Sequence, residues 1–499
     1  MNAVAKVPFR LKHPHRLFID GRWVEPVQGG RIEVIAPHTE EITTSVADAT
    51  AADMDRAVAA ARGAFDNGHW PTLSPQERGA YLKKLGAELA KRAPELANAW
   101  TEQVGALAVV APFMVGLAGA MIDYYVALAD SFAFVERHKP ADGAGVAFVA
   151  REPVGVVAAI VPWNAPYPIM INKIAPALLA GCTVIMKPAP ETPIEAYIIA
   201  ECAEAAGLPP GVLNLVPAHR EASDYLVRNP GVDKVSFTGS TVAGRRIASV
   251  CGERIARCTL ELGGKSAAIV LDDYDLQAAA RTLAATIVMS SGQVCATLSR
   301  VIVSKARQPQ LAEALRAELQ RIRVGDPFDP ASQMGPLAMR RQLDRVEGYI
   351  AKGVAEGAAL MFGGDRPAHL QRGCYINPTL FTDVASNMVV AQEEIFGPVI
   401  ALIGCKDEAD AVRIANDSSY GLFGAVFTND NDAAYRVARG VRTGALAHNA
   451  FKLDFFLPFG GFKQSGIGRE GGVSGLLSYT ESKTILLAGA PSWAAAKLS

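Results

Sequence analysis

The sequence predicts an α/β protein with two parallel-sheet α/β domains and a small additional β element. Three observations predict it. Short, apolar, β-rich runs alternate with helical stretches in two separate blocks, residues 154–237 and 267–447, the pattern of parallel strands joined by crossover helices. At 499 residues the chain is too long for one core. It is 50% hydrophobic and 20% charged with 45 glycines, a globular composition.

In chain order, residues 1–17 lack apolar periodicity and read as an extended arm, with a solvated basic cluster of Lys6, Arg10, Lys12, His13, His15 and Arg16. Phe18-Ile19-Asp20-Gly21-Arg22-Trp23-Val24 reads as two short strands about a glycine turn. Residues 53–65 and 75–93 have helical apolar spacing, with Ser74 placed to cap the second helix. Residues 95–134 read as mostly helical, and the glycine-spaced 142–149 as β-like. The first block offers strands at 154–161, 183–186, 212–216 and 234–237. The second offers strands at 267–271, 301–304, 399–403, 425–427 and 445–447, with helices such as 275–290 and 340–356 between them. Residues 488–499 are alanine-rich and read as partly exposed. Two uncharged runs, 105–122 and 153–172, reach membrane-spanning length. Pro112 and many small residues in the first, and four prolines in the second, predict buried structure instead.

A net charge of −1 gives no case for nucleic acid or an anionic membrane surface as partner. Seven scattered cysteines without a Cys-x-x-Cys pair, and eight dispersed histidines, suggest no metal site. The odd cysteine count without a signal peptide predicts a reducing, cytoplasmic location.

Chemistry-bearing residues fall in three stretches. Ser290-Ser291-Gly292-Gln293-Val294-Cys295-Ala296 holds a candidate nucleophile after a glycine turn. Glu261-Leu262-Gly263-Gly264-Lys265 holds a carboxylate. Pro162-Trp163-Asn164-Ala165-Pro166 holds a side-chain amide. A thiol, a carboxylate and an amide are the parts needed to form a thioester and hydrolyse it: thiolate attacks a carbonyl, amide donors hold the oxyanion, carboxylate activates water. Phe237-Thr238-Gly239-Ser240-Thr241 follows a strand and opens a helix, whose terminus offers N–H groups to a phosphate; by spacing alone it is equally an ordinary capped helix. Gly239 and Gly244 imitate a phosphate loop, but Arg245-Arg246 stand where Lys-[Ser/Thr] is required, which argues against a nucleoside triphosphatase.

In order and spacing these motifs resemble the NAD(P)-dependent aldehyde dehydrogenase superfamily, of the type that releases a free acid. The resemblance covers Glu-Leu-Gly-Gly-Lys at 261–265, Gly-Gln-x-Cys at 292–295, Pro-Trp-Asn at 162–164, Glu-Glu-Ile-Phe-Gly-Pro at 393–398 and Pro-Phe-Gly-Gly-x-Lys-x-Ser-Gly-x-Gly-Arg-Glu at 458–470, and runs from about Phe18 to Ile485. It implies a Rossmann-like dinucleotide-binding domain at 1–132 and 151–262, a catalytic domain at 263–470, and an oligomerisation element at 133–150 and 471–499, for which a plain surface hairpin is the alternative. It further implies a homo-oligomer, dimer or tetramer.

The resemblance implies these roles. Cys295 attacks the aldehyde, Asn164 and the Cys295 N–H hold the oxyanion, and Glu261 activates water. Lys173 and Glu470 relay protons from Glu261, or form a structural ion pair. Val161, Pro162, Trp163, Lys187, Pro190, Glu191, Gly239, Ser240, Leu262, Gly263, Glu394 and Phe396 would hold the cofactor; Phe396 is equally a core aromatic. NAD-dependent relatives often carry a ribose-binding glutamate where this chain has Pro190, so NADP is possible beside NAD. Ala165, Tyr167, Ile169, Asn172, Val294, Ala296, Phe451, Leu453 and Phe459 should line the aldehyde tunnel. Relatives often have tryptophan at Asn172 and a large aromatic at Ala165, which implies a roomier mouth and a medium-sized apolar aldehyde, aliphatic or aryl. Cys182, Cys202 and Cys258 read as packing residues.

Three alternatives remain at this stage. A CoA-acylating semialdehyde dehydrogenase generally lacks the base that Glu261 supplies. A non-catalytic binding protein on the same fold has no need of Cys295 and Asn164. A cysteine esterase has no use for the nucleotide-site matches at Lys187, Gly239 and Glu394.

Overall fold

Each run of buried, β-rich residues becomes a strand of one of two mainly parallel sheets. The structure is a computed structural model that describes residues 8–495; Lys6 of the expected arm and residues 496–499 of the alanine-rich tail lie outside them. The first sheet has eight strands in the order Gly466–Ile467, Arg257–Glu261, Lys234–Thr238, Val156–Ile160, Thr183–Lys187, Leu213–Leu215, Leu17–Ile19, Arg22–Val24. Its central pairs are parallel. From Val156–Ile160 the chain builds outward one way and then returns to the other side at Lys234–Thr238. The sheet therefore has a switch point where those two strands end, the place where open α/β sheets bind ligands.

The second sheet has seven strands in the order Ala359–Phe362, Thr379–Thr382, Val399–Cys405, Arg300–Ser304, Ala267–Val270, Phe423–Phe427, Ala445–His448. All pairs but the first are parallel. A third, antiparallel sheet joins Thr480–Leu487, Val146–Pro153 and Val135–His138. The central strands are buried along their length, so they show no polar–apolar alternation in sequence.

Local signals set the helix ends. Ser74 and Glu77 form a reciprocal capping box on Pro75–Lys91, with Ser74 N donating to Glu77 Oε2 at 2.7 Å and Glu77 N to Ser74 Oγ at 3.2 Å. The long helical stretch breaks in two, Ala93–Val104 and Ala111–Ser131. Gly105, at φ +80°, is the left-handed cap between them, and a Cβ there would meet Pro336. This gives the apolar turn at 105–110 a structural reason.

The N-terminal arm keeps Arg10, Lys12, His15 and Arg16 exposed, as expected, while its backbone is docked: Lys12 N donates to Glu201 Oε1 at 2.6 Å, Arg92 reaches Arg10 O at 2.9 Å, and Tyr197 OH donates to Arg16 O at 3.0 Å. The run 105–122 is only partly buried. Its helix packs on Pro75–Lys91, Ala93–Val104 and Pro166–Ala180, but Phe113 and Gly116 face outward. By length and apolarity alone this helix would suit a membrane, with less than half of it buried. Cys258 packs against the core beside the first sheet, as expected, half-buried next to Cys251, whose thiol hydrogen bond lowers the Cys258 pKa.

Sequence reading passed over the hairpin Arg31–Ala36/Glu41–Ala47 and the strand Arg257–Glu261. The first of these had a readable signal, since Arg31–Ala36 alternates exposed and buried residues.

Candidate active site

Cys295 sits in a loop between the helix Leu276–Val288 and the strand Arg300–Ser304. The loop enters through three successive left-handed residues, Ser290, Ser291 and Gly292, at φ +45°, +56° and +74°. Two of these are not glycine, a strain that persists only where surroundings over-determine it. Ser291 Oγ donates to Gly335 O at 2.8 Å, and Gln293 is held at both ends of its amide, Nε2 to Ser290 O and Oε1 from Ala338 N, each at 2.9 Å. A Cβ on Gly292 would run into the Gly397–Pro398 backbone.

The thiol is pushed up to about 12 by burial and by the facing carboxylates of Glu394 and Glu261. At neutral pH it rests protonated, so attack on a carbonyl needs a proton acceptor at hand.

Glu261 ends the strand Arg257–Glu261 and is 3% exposed, with neither carboxylate oxygen hydrogen-bonded. Burial and then the charge of Glu470 raise its pKa well above the ordinary range, against Lys173 and Arg469. A carboxylate raised in this way is suited to take a proton near neutral pH.

Lys173 and Glu470 lie together behind it, Nζ to Oε1 at 2.5 Å, both buried. The pairing of Phe459 with Glu470, N to O at 2.7 and 2.8 Å in the two directions, folds the 458–470 segment back so that Glu470 reaches this position. A Cβ on Gly460 would stand 2.7 Å from Glu261 Oε1, so only glycine lets the segment cover the carboxylate this closely.

Asn164 donates one N–H of its amide to Gln293 O at 2.9 Å. That leaves the second N–H for another acceptor. The backbone carbonyl of Asn164 accepts from Trp100 Nε1 at 2.8 Å. The amide is thereby held on the backbone two residues before the thiol.

The switch point of the first sheet fits a dinucleotide. Val161, Pro162 and Trp163 follow the strand Val156–Ile160, and Gly239 and Ser240 follow Lys234–Thr238. Ser240 caps Thr241–Glu253 by accepting from Ala243 N at 3.3 Å, which leaves its O–H free to donate. Thr238 Oγ1 is buried without a partner. Gly244 lets Leu262 lie against the first turn of the helix.

Lys187 ends the next strand, buried, with its pKa lowered to about 8 by burial against the pull of Glu191. Pro190 lies in the turn beyond it, and Glu191 is ion-paired with Arg341 at 2.5 Å. On the facing side Glu394 accepts from Gly264 N at 3.0 Å, and burial raises its pKa to about 7. A Cβ on Gly263 would run into that carboxylate. Phe396, at φ +62°, stands edge-on to Trp163 at 5.3 Å rather than inside a core.

The expected tunnel residues divide. Val294, Ala296, Phe451, Leu453 and Phe459 share one apolar cluster with Cys295. Tyr167 and Ile169 belong to the core of the first sheet, Tyr167 only 3% exposed. Ala165 precedes the helix Pro166–Ala180. Asn172 is buried and turned to Glu470, Nδ2 to Oε2 at 3.3 Å.

Sequence reasoning missed Trp100 and Gln293, which hold Asn164, and Ser236 and Tyr479, which surround Glu470. Only Gln293 carried a signal, as part of the Gly-Gln-x-Cys motif.

A half-buried thiol, a buried carboxylate with raised pKa and a fixed amide stand in one chain with a sheet switch point suited to a dinucleotide, the parts of a nicotinamide-dependent oxidoreductase. The aldehyde dehydrogenase family model matches residues 23–485. A geranial dehydrogenase of Castellaniella defragrans is 42% identical over 96% of this chain and all of its own, and a betaine aldehyde dehydrogenase of Rhizobium leguminosarum is 38% identical over 95% and 97%. Among solved structures, an aldehyde dehydrogenase of Mycobacterium tuberculosis in complex with NAD+ is 44% identical, with a TM-score of 0.91 over 95% of this chain and 98% of that one. A cysteine-to-alanine mutant of aldehyde dehydrogenase C from Pseudomonas syringae, with NAD+ and octanal, is 37% identical, with a TM-score of 0.92 over 96% and 98%. The chain belongs to the aldehyde dehydrogenase family, enzymes that oxidise aldehydes with a nicotinamide cofactor.

Proposed function

We propose that this enzyme oxidises a medium-sized apolar aldehyde, aliphatic or aryl, to the free acid through a thioester on Cys295. The observation that carries the substrate reading is the apolar cluster that Cys295 shares with Val294, Phe451, Leu453 and Phe459. A substrate bonded to the sulfur meets hydrocarbon there, which favours an apolar tail by about 25 cal/mol per Å² buried. The names of the geranial and octanal relatives agree with that reading; the betaine aldehyde relative is the cationic alternative.

The residues divide the work as follows. The half-buried Cys295 thiol loses its proton to water and its sulfur bonds to the aldehyde carbon, the carbonyl electron pair moving to oxygen. The second N–H of Asn164 and the Cys295 N–H hold the resulting oxyanion, one such donor contributing about 3–4 kcal/mol. Bound at the switch point, NAD would supply the acceptor for the hydride that leaves the aldehyde carbon as the oxyanion collapses to the thioester. Glu261 then takes a proton from water as that water attacks the thioester, and the Lys173–Glu470 pair behind it passes the proton on. The presence of Glu261 favours water over CoA as the acceptor. The ion pair of Arg341 with Glu191 places a guanidinium beside the carboxylate nearest Pro190, which supports NADP as a second cofactor.

The third sheet, an exposed antiparallel ribbon bearing Leu486 at 69% exposure, supports assembly into a homo-oligomer. The free cysteines support a cytoplasmic enzyme.

The test is absorbance at 340 nm with hexanal, benzaldehyde and betaine aldehyde, with NAD and NADP in parallel and Cys295→Ala as control. Reduction with hexanal or benzaldehyde that vanishes in the control is the expected result. A clear preference for betaine aldehyde overturns the substrate reading.

A further inference from the structure

Glu470 is held by more than its lysine. Its Oε1 receives Lys173 Nζ at 2.5 Å and Ser236 Oγ at 3.3 Å, and Ser236 in turn receives Tyr479 OH at 2.9 Å. Its Oε2 receives Asn172 Nδ2 at 3.3 Å. The amide orientation at Asn172 follows from this contact, since turning it over would set two oxygens against each other.

That orientation leaves Asn172 Oδ1 buried without a partner, on a side chain 5% exposed. Both oxygens of Glu261, whose pKa responds to the charge of Glu470, are likewise buried without a partner. Orphaned acceptors gathered round one carboxylate call for a donor, because an unmet buried acceptor costs about 1–3 kcal/mol. Among the described residues no side-chain donor meets them. A water molecule has two protons and answers two acceptors at once.

We infer that Asn172 is a positioning residue for thioester hydrolysis: its Nδ2 fixes Glu470, and its Oδ1 holds a water that also donates to Glu261. The inference rests on the proposed hydrolytic role of Glu261, and it moves Asn172 out of the aldehyde tunnel. Once Glu261 has taken a proton from the attacking water, its new O–H donates to the held water, which keeps one O–H on Asn172 Oδ1 and turns the other to Glu470 Oε2, the oxygen that Asn172 Nδ2 touches. The proton then passes from Glu261 through the water to the Glu470 carboxylate, which leaves Glu261 ionised again with no change in oxidation.

Asn172→Leu keeps the volume and removes both the donor and the acceptor. Asn172→Ala leaves room for further water to take the amide's place. Rapid-mixing absorbance at 340 nm separates the first turnover, which forms the thioester, from later turnovers, which need its hydrolysis. For Asn172→Leu the expected result is an unchanged burst and KM, with steady-state turnover lower by at least about tenfold, the loss of a hydrogen bond to the Glu470 carboxylate and of one to the held water. The acid limb of turnover should move to higher pH, since the Glu470 charge facing Glu261 loses the opposing N–H dipole. Asn172→Ala should lose less than Asn172→Leu.

A slower burst or a raised KM with hydrolysis intact overturns the inference and returns Asn172 to the tunnel. So does turnover with an unmoved pH limb in both variants. Wild-type enzyme that reduces neither nucleotide with any aldehyde refutes the proposed function itself, a different result from either.

Discussion

Replacing Lys173 with methionine removes one charge from a side chain that has no exposure and changes its shape little. Glu470, with 4% of its side chain exposed, is then left as a buried carboxylate without its cation. Removing one partner of such a pair costs about 3–5 kcal/mol, far more than the net worth of the pair, because the remaining charge stays desolvated. Ser236 and Asn172 still donate to Glu470, which places the expected loss toward the lower end.

Lys173 also opposes the upward shift of Glu261. Without it Glu261 titrates higher still, and the acid limb of turnover moves to higher pH. A carboxylate whose folded pKa lies above its unfolded value favours the fold while protonated. That contribution is complete below the unfolded pKa and is lost as pH rises through the folded one. The instability of Lys173→Met therefore grows as pH rises from the ordinary carboxylate range through the raised pKa of Glu261. Guanidinium denaturation at fixed protein concentration measures it, in a cycle with Glu470→Gln and the double variant. The double variant should recover most of the loss, since two neutral groups need no counter-charge. A single variant within about 1 kcal/mol of wild type, or a double variant no better than the single, refutes the reasoning.

The remaining predictions concern single positions. Glu261→Gln should keep a burst of one reduced nucleotide per site and lose about 10²–10⁴ in later turnover, the usual share of a general base; rapid mixing at 340 nm checks it. Asn164→Ala should slow the burst itself by about 10²–10³, with nucleotide affinity by calorimetry unchanged. Gly292→Ala should destabilise by at least about 1–3 kcal/mol and abolish the burst, because φ +74° and the Gly397–Pro398 backbone leave no place for a Cβ; a stable, active Gly292→Ala enzyme would contradict the strained-loop account.

How much of this was legible depends on the range over which each feature is determined. The two α/β blocks, the capping box at Ser74, and the stretches bearing Cys295, Glu261 and Asn164 were readable, because strand burial, helix caps and motif spacing are written in neighbouring residues. The docked arm was not, since its partners Glu95 and Glu201 lie some 85 and 189 residues away. Nor was the break at Gly105, whose glycine is fixed by Pro336 in the other block. Asn172 reads from position as a tunnel residue; only the folded chain turns it toward Glu470, 298 residues on.

The sequence by itself determined which groups are offered for the proposed chemistry and the local form of their segments. Tertiary structure alone decided their electrostatics. Burial and the facing carboxylates hold the Cys295 thiol protonated and raise Glu261, because desolvation and charge–charge interaction depend on what the rest of the chain brings within a few ångströms.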